Sequence, residues 1–372
     1  MGVGFCQAHV SAIIPPMNRS SALKVASTLI LAALVVLGSF TALRASSSPR
    51  PAAVAPHAWA ASASGAPADV LVVLEEQADL SAAAGLHSVE ERRHYVYEAL
   101  STMALRSQAA LRAELDAAGV AYRPFYVANM IALRADRELL TRLAARPEVA
   151  RIVANPKVRH ALPEPEPGSF GAEREAGIEW NVRRVQADEV WALGYTGEGT
   201  VVAGQDTGYD WEHPALIDHY RGFNGVTATH DYNWHDAIHT PGSDCGADSE
   251  VPCDDNGHGT HTMGTMVGDD GAGHRIGVAP GAEWIGCRNM DEGVGSPETY
   301  IECFEFFLAP YPVGGDPFTE GKPSLAPDVI NNSWTCPSTE GCDRTTLQMV
   351  VENVRAAGIL VVVSAGNEGS QC

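Results

Sequence analysis

Basic residues are scarce in this 372-residue chain, with 25 Lys and Arg against 46 Asp and Glu and a formal net charge of −21. Such a surface repels a phosphate backbone, so the composition argues against nucleic acid as a partner. Long apolar runs are scarce as well. The one long stretch, 25–43, follows Arg19 and Lys24 and precedes the small residues Ala45-Ser46-Ser47-Ser48. That is the order of a secretory signal, with Met17 as an alternative start. A membrane enters only if the segment stays uncleaved, because 19 residues approach the roughly 20 needed to cross a bilayer. The eight cysteines contain no Cys-x-x-Cys spacing, which weakens a zinc reading. Instead Cys245/Cys253 and Cys336/Cys342 bracket short Gly/Pro-rich loops, a spacing that predicts local disulfides in an oxidising compartment. Cys6 falls in the leader, and Cys287, Cys303 and Cys372 complete an odd set that leaves one thiol without a partner in the chain.

What is present is globular: 45% of residues are hydrophobic and 19% charged. The length predicts two folded units plus a tail. Residues 1–65 read as signal and Ala/Pro/Ser-rich linker. From 66 to 160 the pattern is strand (69–74), helix (89–118), two strands (122–126 and 129–133), helix (137–145) and strand (149–153). That order predicts a small ferredoxin-like α+β domain with helices on one face. Residues 161–177 include Pro163-Glu164-Pro165-Glu166-Pro167, too proline-rich to pack, and read as a linker.

From 178 to 372 the periodicity changes. Short apolar strands at 200–204, 282–286, 328–332 and 359–363 alternate with helices at 258–267, 299–308 and 345–357. Unalternating apolar strands separated by helices predict a doubly wound parallel sheet covered on both faces. Chemistry in such sheets gathers at the carboxyl ends of the strands. Asp206, Asn331 to Ser333 and Ser364 to Asn367 lie there. His258 stands between two glycines in Asp254-Asp255-Asn256-Gly257-His258-Gly259-Thr260-His261, at a predicted helix start. Its titration near neutral pH suits proton transfer. Taken alone, His258 and His261 also fit a pair of metal ligands or satisfied polar residues, and the segment around Asp206 fits a capping residue better than the partner of a base.

Several motifs taken together resolve this. Asp206-Thr207-Gly208, Gly257-His258-Gly259-Thr260-His261, Asn332-Ser333-Trp334 and Ala365-Gly366-Asn367 resemble, in order, those of the subtilisin-like serine proteases. The stretches Val190-Trp191-Ala192-Leu193-Gly194-Tyr195, Leu308-Ala309-Pro310 and 326–334 are similar to the bacillopeptidase F-like branch. The resemblance implies that Asp206 orients His258, that His258 is the general base, and that Asn367 donates to the oxyanion. It also implies that Ser333 and Trp334, with Ser364, Ala365 and Gly366, border a cleft for an extended peptide or protein substrate. His261 becomes a structural helix residue, and 66–160 resembles an inhibitory propeptide, making the chain's own propeptide a partner. No cofactor is implied. Metal is not expected either, since Ala215 stands where the family has a calcium-binding carboxylate.

One departure bears on function. The family's Gly-Thr-Ser-Met-Ala-x-Pro segment, which carries the nucleophile, lies beyond Asn367 and does not occur in these 372 residues. Ser333 and Ser364 are not in Gly-x-Ser-x-Gly turns and read as cleft-wall or core hydroxyls. The expectation is therefore an exported serine endopeptidase present as an N-terminal portion lacking its nucleophile. The alternative is a non-catalytic fragment or pseudoprotease that binds peptides or inhibits a relative.

Overall fold

A computed structural model describes residues 50–161, 177–240, 242 and 244–367. The apolar run at 25–43, most of the linker 161–177, Ser370 and Cys372 lie outside the described residues.

The first module comprises α1 (Pro56–Ala61), β1 (Ala68–Leu74), α2 (Val89–Ala117), β2 (Tyr122–Phe125), β3 (Met130–Ala135), α3 (Arg137–Ala144) and β4 (Val149–Ala154). Five successive apolar residues, Val70 to Leu74, are buried on both faces of β1, so it takes a central place in its sheet. β3 and β4 flank it antiparallel, with Val72 opposite both Ile131 and Ile152. The order is β2-β3-β1-β4, the ferredoxin-like arrangement. Ser88 and Glu91 close a reciprocal capping box at the start of α2, satisfying backbone donors that a helix start otherwise leaves open. Leu111 and Leu115 of α2 and Leu139, Leu140 and Leu143 of α3 cover the face of Val70 and Val72.

One stretch departs from its reading as linker. Residues 51–65 contain α1, and Val54 and Ala58 are fully buried against β4. Ala is the best helix former and its small side chain fits a tight interface, whereas composition alone speaks only for a loose tether.

The second part begins after β5 (Val158–Arg159). It contains β6 (Gly177–Ile178), α4 (Trp180–Arg184), α5 (Ala187–Ala192), β7 (Val201–Asp206), β8 (Trp234–Asp236), α6 (His258–Val267) and β9 (His274–Arg275). β10 (Glu283–Arg288), β11 (Met290–Asp291), β12 (Val294–Gly295), α7 (Pro297–Leu308), β13 (Val329–Asn332), α8 (Arg344–Ala356) and β14 (Leu360–Val363) follow. The main sheet runs β14-β13-β7-β10-β8, parallel throughout. Neighbouring side chains point to opposite faces. Val202 and Trp284 join Met263 and Val267 of α6 in one core, while Ala203, Ile285 and Ile330 join α7 and α8 in another.

Helix α7 is buried all round, as expected for a helix with two apolar neighbours. One side meets the main sheet. The other meets the first module, whose Leu71, Val73, Phe125 and Met130 share its core with Ile301, Phe304 and Phe307. Cys287 of β10 and Cys303 of α7 form a buried disulfide that local spacing does not suggest, beside the expected Cys245–Cys253 and Cys336–Cys342.

Candidate active site

β7 ends on Asp206, which is fully buried. Its Oδ1 accepts from the Thr207 backbone N–H at 2.8 Å and lies 2.7 Å from His258 Nδ1. A carboxylate oxygen can only accept, so Nδ1 carries the proton and Nε2 keeps its lone pair. His258 is the first residue of α6, preceded by Gly257 at φ +89°. The loops carrying the two residues touch backbone to backbone. A Cβ on Gly208 would fall onto the Cys253 carbonyl, and one on Gly259 onto the Gly208 carbonyl, so only glycine permits the approach.

The electrostatics of the pair follow from its depth. Burial raises the Asp206 pKa above the ordinary carboxylate range, against the hydrogen bond and charge of His258. Burial alone would lower His258, but the hydrogen bond and charge of Asp206, with the charge of Asp254 behind them, raise it above the usual histidine value. This is a base held in one tautomer by a buried carboxylate.

The sequence model of the subtilase family (peptidase S8) matches residues 197–372. Those residues form a subtilase-family domain. The chain is 40% identical over 252 residues to bacillopeptidase F of Bacillus subtilis, a match covering 65% of this chain and 16% of that protein. It is 31% identical over 190 residues to the major intracellular serine protease of Bacillus subtilis, covering 50% and 49%. Subtilisin E of Bacillus subtilis is 25% identical over 290 residues, covering 77% and 62%. The chain thus spans less than two thirds of each of these relatives. Among solved structures, the epidermin leader peptide processing serine protease of Staphylococcus aureus superposes with a TM-score of 0.52 at 12% identity, covering 82% of this chain and 61% of that one. That likeness concerns the fold.

The other expected site residues of the subtilase domain stand at the carboxyl ends of β13 and β14. Ser333 Oγ accepts from Asn331 Nδ2 at 3.0 Å. The Ser364 backbone N–H donates to the Asn332 carbonyl at 3.0 Å, which joins the two strand ends. Ser364, Ala365, Gly366 and Asn367 are exposed, with Gly366 at φ +90°. Trp334 is half-buried and stacks on Tyr300, ring centroids 3.9 Å apart. His261 lies within α6. It is exposed and lines a cavity of about 790 Å³ with Glu179, Asp210 and His213. Among the described residues no group of three or more His, Cys, Asp or Glu is arranged to hold a metal ion. No helix among them is long and apolar enough to cross a membrane.

Two parts of the site escaped the sequence reading. One is a polar ladder behind Asp206: fully buried Gln205 donates to Asn332 Oδ1 at 2.7 Å and accepts from Asn289 Nδ2 at 2.8 Å, tying β13 and β7 to the residue that follows β10. The other is β12, on which β5 of the first module pairs antiparallel, Val158 opposite Gly295 and Arg159 opposite Val294. Next to it His160 Nε2 lies 2.9 Å from the Tyr300 hydroxyl, and His160 feels the charge of His258. The alternating glycines of Gly293-Val294-Gly295 were the available signal, since a strand edge that receives another backbone favours them.

Proposed function

We propose that the chain belongs to an exported serine endopeptidase in which Asp206 and His258 activate a serine nucleophile that these 372 residues do not contain. The observation that carries this reading is the 2.7 Å contact between His258 Nδ1 and the buried Asp206 carboxylate at the carboxyl end of the parallel sheet. In the reaction, His258 Nε2 removes the hydroxyl proton as the oxygen attacks the peptide carbonyl, then returns it to the leaving amine. Asp206 stabilises the imidazolium formed in between. Asn367 donates to the developing oxyanion. Ser333 and Trp334 on one side and Ser364, Ala365 and Gly366 on the other border the cleft for an extended peptide or protein substrate.

Residues 66–160 then act as the chain's own inhibitory propeptide. Support comes from β5, which adds as a strand to β12 and brings His160 beside Tyr300, the ring on which Trp334 stacks. A segment lying there occupies an edge that an extended substrate would use. Secretion is consistent with the disulfides. The second reading is a non-catalytic product that binds peptides or inhibits a relative.

Fluorophosphonate labelling tests both. Residues 1–372 alone are expected not to label, whereas protein expressed with the downstream coding sequence labels and loses labelling on His258→Ala. Labelling of the 372-residue chain itself, or labelling indifferent to His258, overturns the proposal.

A further inference from the structure

The loop that delivers His258 is organised by a carboxylate to which the mechanism so far gives no part. Asp254 Oδ1 accepts from Thr207 Oγ1 at 2.8 Å, Gly257 N at 2.8 Å and Asn256 N at 3.1 Å. Its Oδ2 accepts from Thr260 Oγ1 at 2.6 Å and Thr260 N at 2.9 Å. All of these groups donate, so a two-oxygen carboxylate is required; an amide would turn its NH₂ toward some of them. Two of the partners pass the restraint onward. Thr207 Oγ1 also accepts from Gly259 N at 3.0 Å, and Thr260 Oγ1 from Asp210 N at 2.9 Å. The segment 206–210 that carries Asp206 and the segment 256–260 that carries His258 are therefore cross-linked through one side chain.

We propose that Asp254 is a positioning residue of the Asp206–His258 pair, setting the hydrogen bond between them through Thr207 and the first turn of α6, and acting on His258 through its charge as well. Among the described residues, Asp206 and Asp254 act on His258 through their charge, and His258 acts on His160. Asp206 bonds His258 directly. Asp254 favours its charged form, and raises Asp206 in turn. The inference rests on the proposed roles of Asp206 and His258, but its test needs no nucleophile and no turnover.

The experiment is NMR of the 372-residue chain, following the His258 ring titration and the low-field Nδ1 proton in wild type, Asp254→Asn, Thr207→Val and Asp206→Asn. Asp254→Asn is expected to lower the His258 midpoint by roughly half a pH unit or more, with the same displacement absent from distant histidines. Thr207→Val keeps the Asp254 charge and breaks one link, so the midpoint moves less, but Nδ1 proton exchange speeds up roughly tenfold. A midpoint and an exchange rate unchanged in both variants, while Asp206→Asn moves them, overturn the proposal. If Asp254→Asn fails to fold, Thr207→Val decides by the same exchange criterion. Because no labelling is involved, failure of the protease reading leaves this outcome readable.

Discussion

Arg123 of the first module and Glu302 of α7 meet at 3.1 Å across the contact between the module and the subtilase domain. Glu302 is buried and also bonds His235 and His239, at 2.8 and 2.9 Å. Burial would raise its pKa, yet the Arg123 charge and the two imidazole hydrogen bonds hold it well below the ordinary carboxylate range. A depressed carboxylate contributes stability above its unfolded value of about 4.3 and loses it as pH falls toward the folded value. Glu302→Ala leaves Arg123, His235 and His239 facing one another, and breaking such a buried cluster costs about 3–5 kcal/mol. Urea unfolding at pH 7 checks this; a loss under about 1 kcal/mol would show that the cluster contributes little.

Glu305, one turn further along α7, predicts the opposite pH trend. A single oxygen, Oε2, accepts from the backbone N–H groups of Tyr126 and Val127 at 2.6 and 2.9 Å. Burial nevertheless pushes its pKa up to about 8, against those two bonds. The folded state then holds a proton that the unfolded state gives up above about 4.3, so this residue removes stability as pH rises from there to 8. In Glu305→Gln the amide oxygen can take both N–H groups without a charge. The urea midpoint of Glu305→Gln should therefore fall less between pH 5 and 8 than that of the wild type. Parallel curves would refute the assignment.

Gly208→Ala addresses the backbone contact beneath the pair. Gly208 has φ +111°, and a Cβ there meets the Cys253 carbonyl. The strained conformation and the displaced loop together should cost about 2–4 kcal/mol. Thermal unfolding measures the cost, and near-wild-type stability would mean that the two loops separate freely.

Much of this framework was legible in the residues because apolar runs of strand length admit few alternatives. β7, β10, β13 and β14 lie within two residues of their expected limits, and α6 begins at His258 as expected. β8 was not legible. It has three residues with half-buried His235 at its centre, and it exists because β10 offers it a parallel edge. The Cys287–Cys303 bond likewise needs the packing of α7 on β10, which no spacing of 16 residues announces. Asp206 and His258 could be named from motifs, but Asp254 and its donor Thr207 are 47 residues apart and converge only in three dimensions.

The same depth that prepares Asp206 for its proposed role also makes it costly. Burial raises its pKa, so the folded state loses stability as pH rises from the unfolded carboxylate value of about 3.9 to the raised one. His258 is raised as well, and what it contributes is present below about 6.5 and lost as pH rises through its folded value. Both trends make the pair less favourable for folding as pH rises. Asp206→Asn keeps an oxygen for the Thr207 N–H and for the His258 Nδ1–H while removing the buried charge. It should raise stability at pH 8 by about 1 kcal/mol, the usual direction when an active-site residue is replaced by one the fold tolerates better. In a form carrying the nucleophile the same change should lower kcat roughly 10⁴-fold, because the amide can also hold the wrong imidazole tautomer. Equilibrium unfolding at pH 8 alongside the rate measurement separates the two effects. A variant that is both less stable and less active would mean that Asp206 serves the fold rather than opposing it.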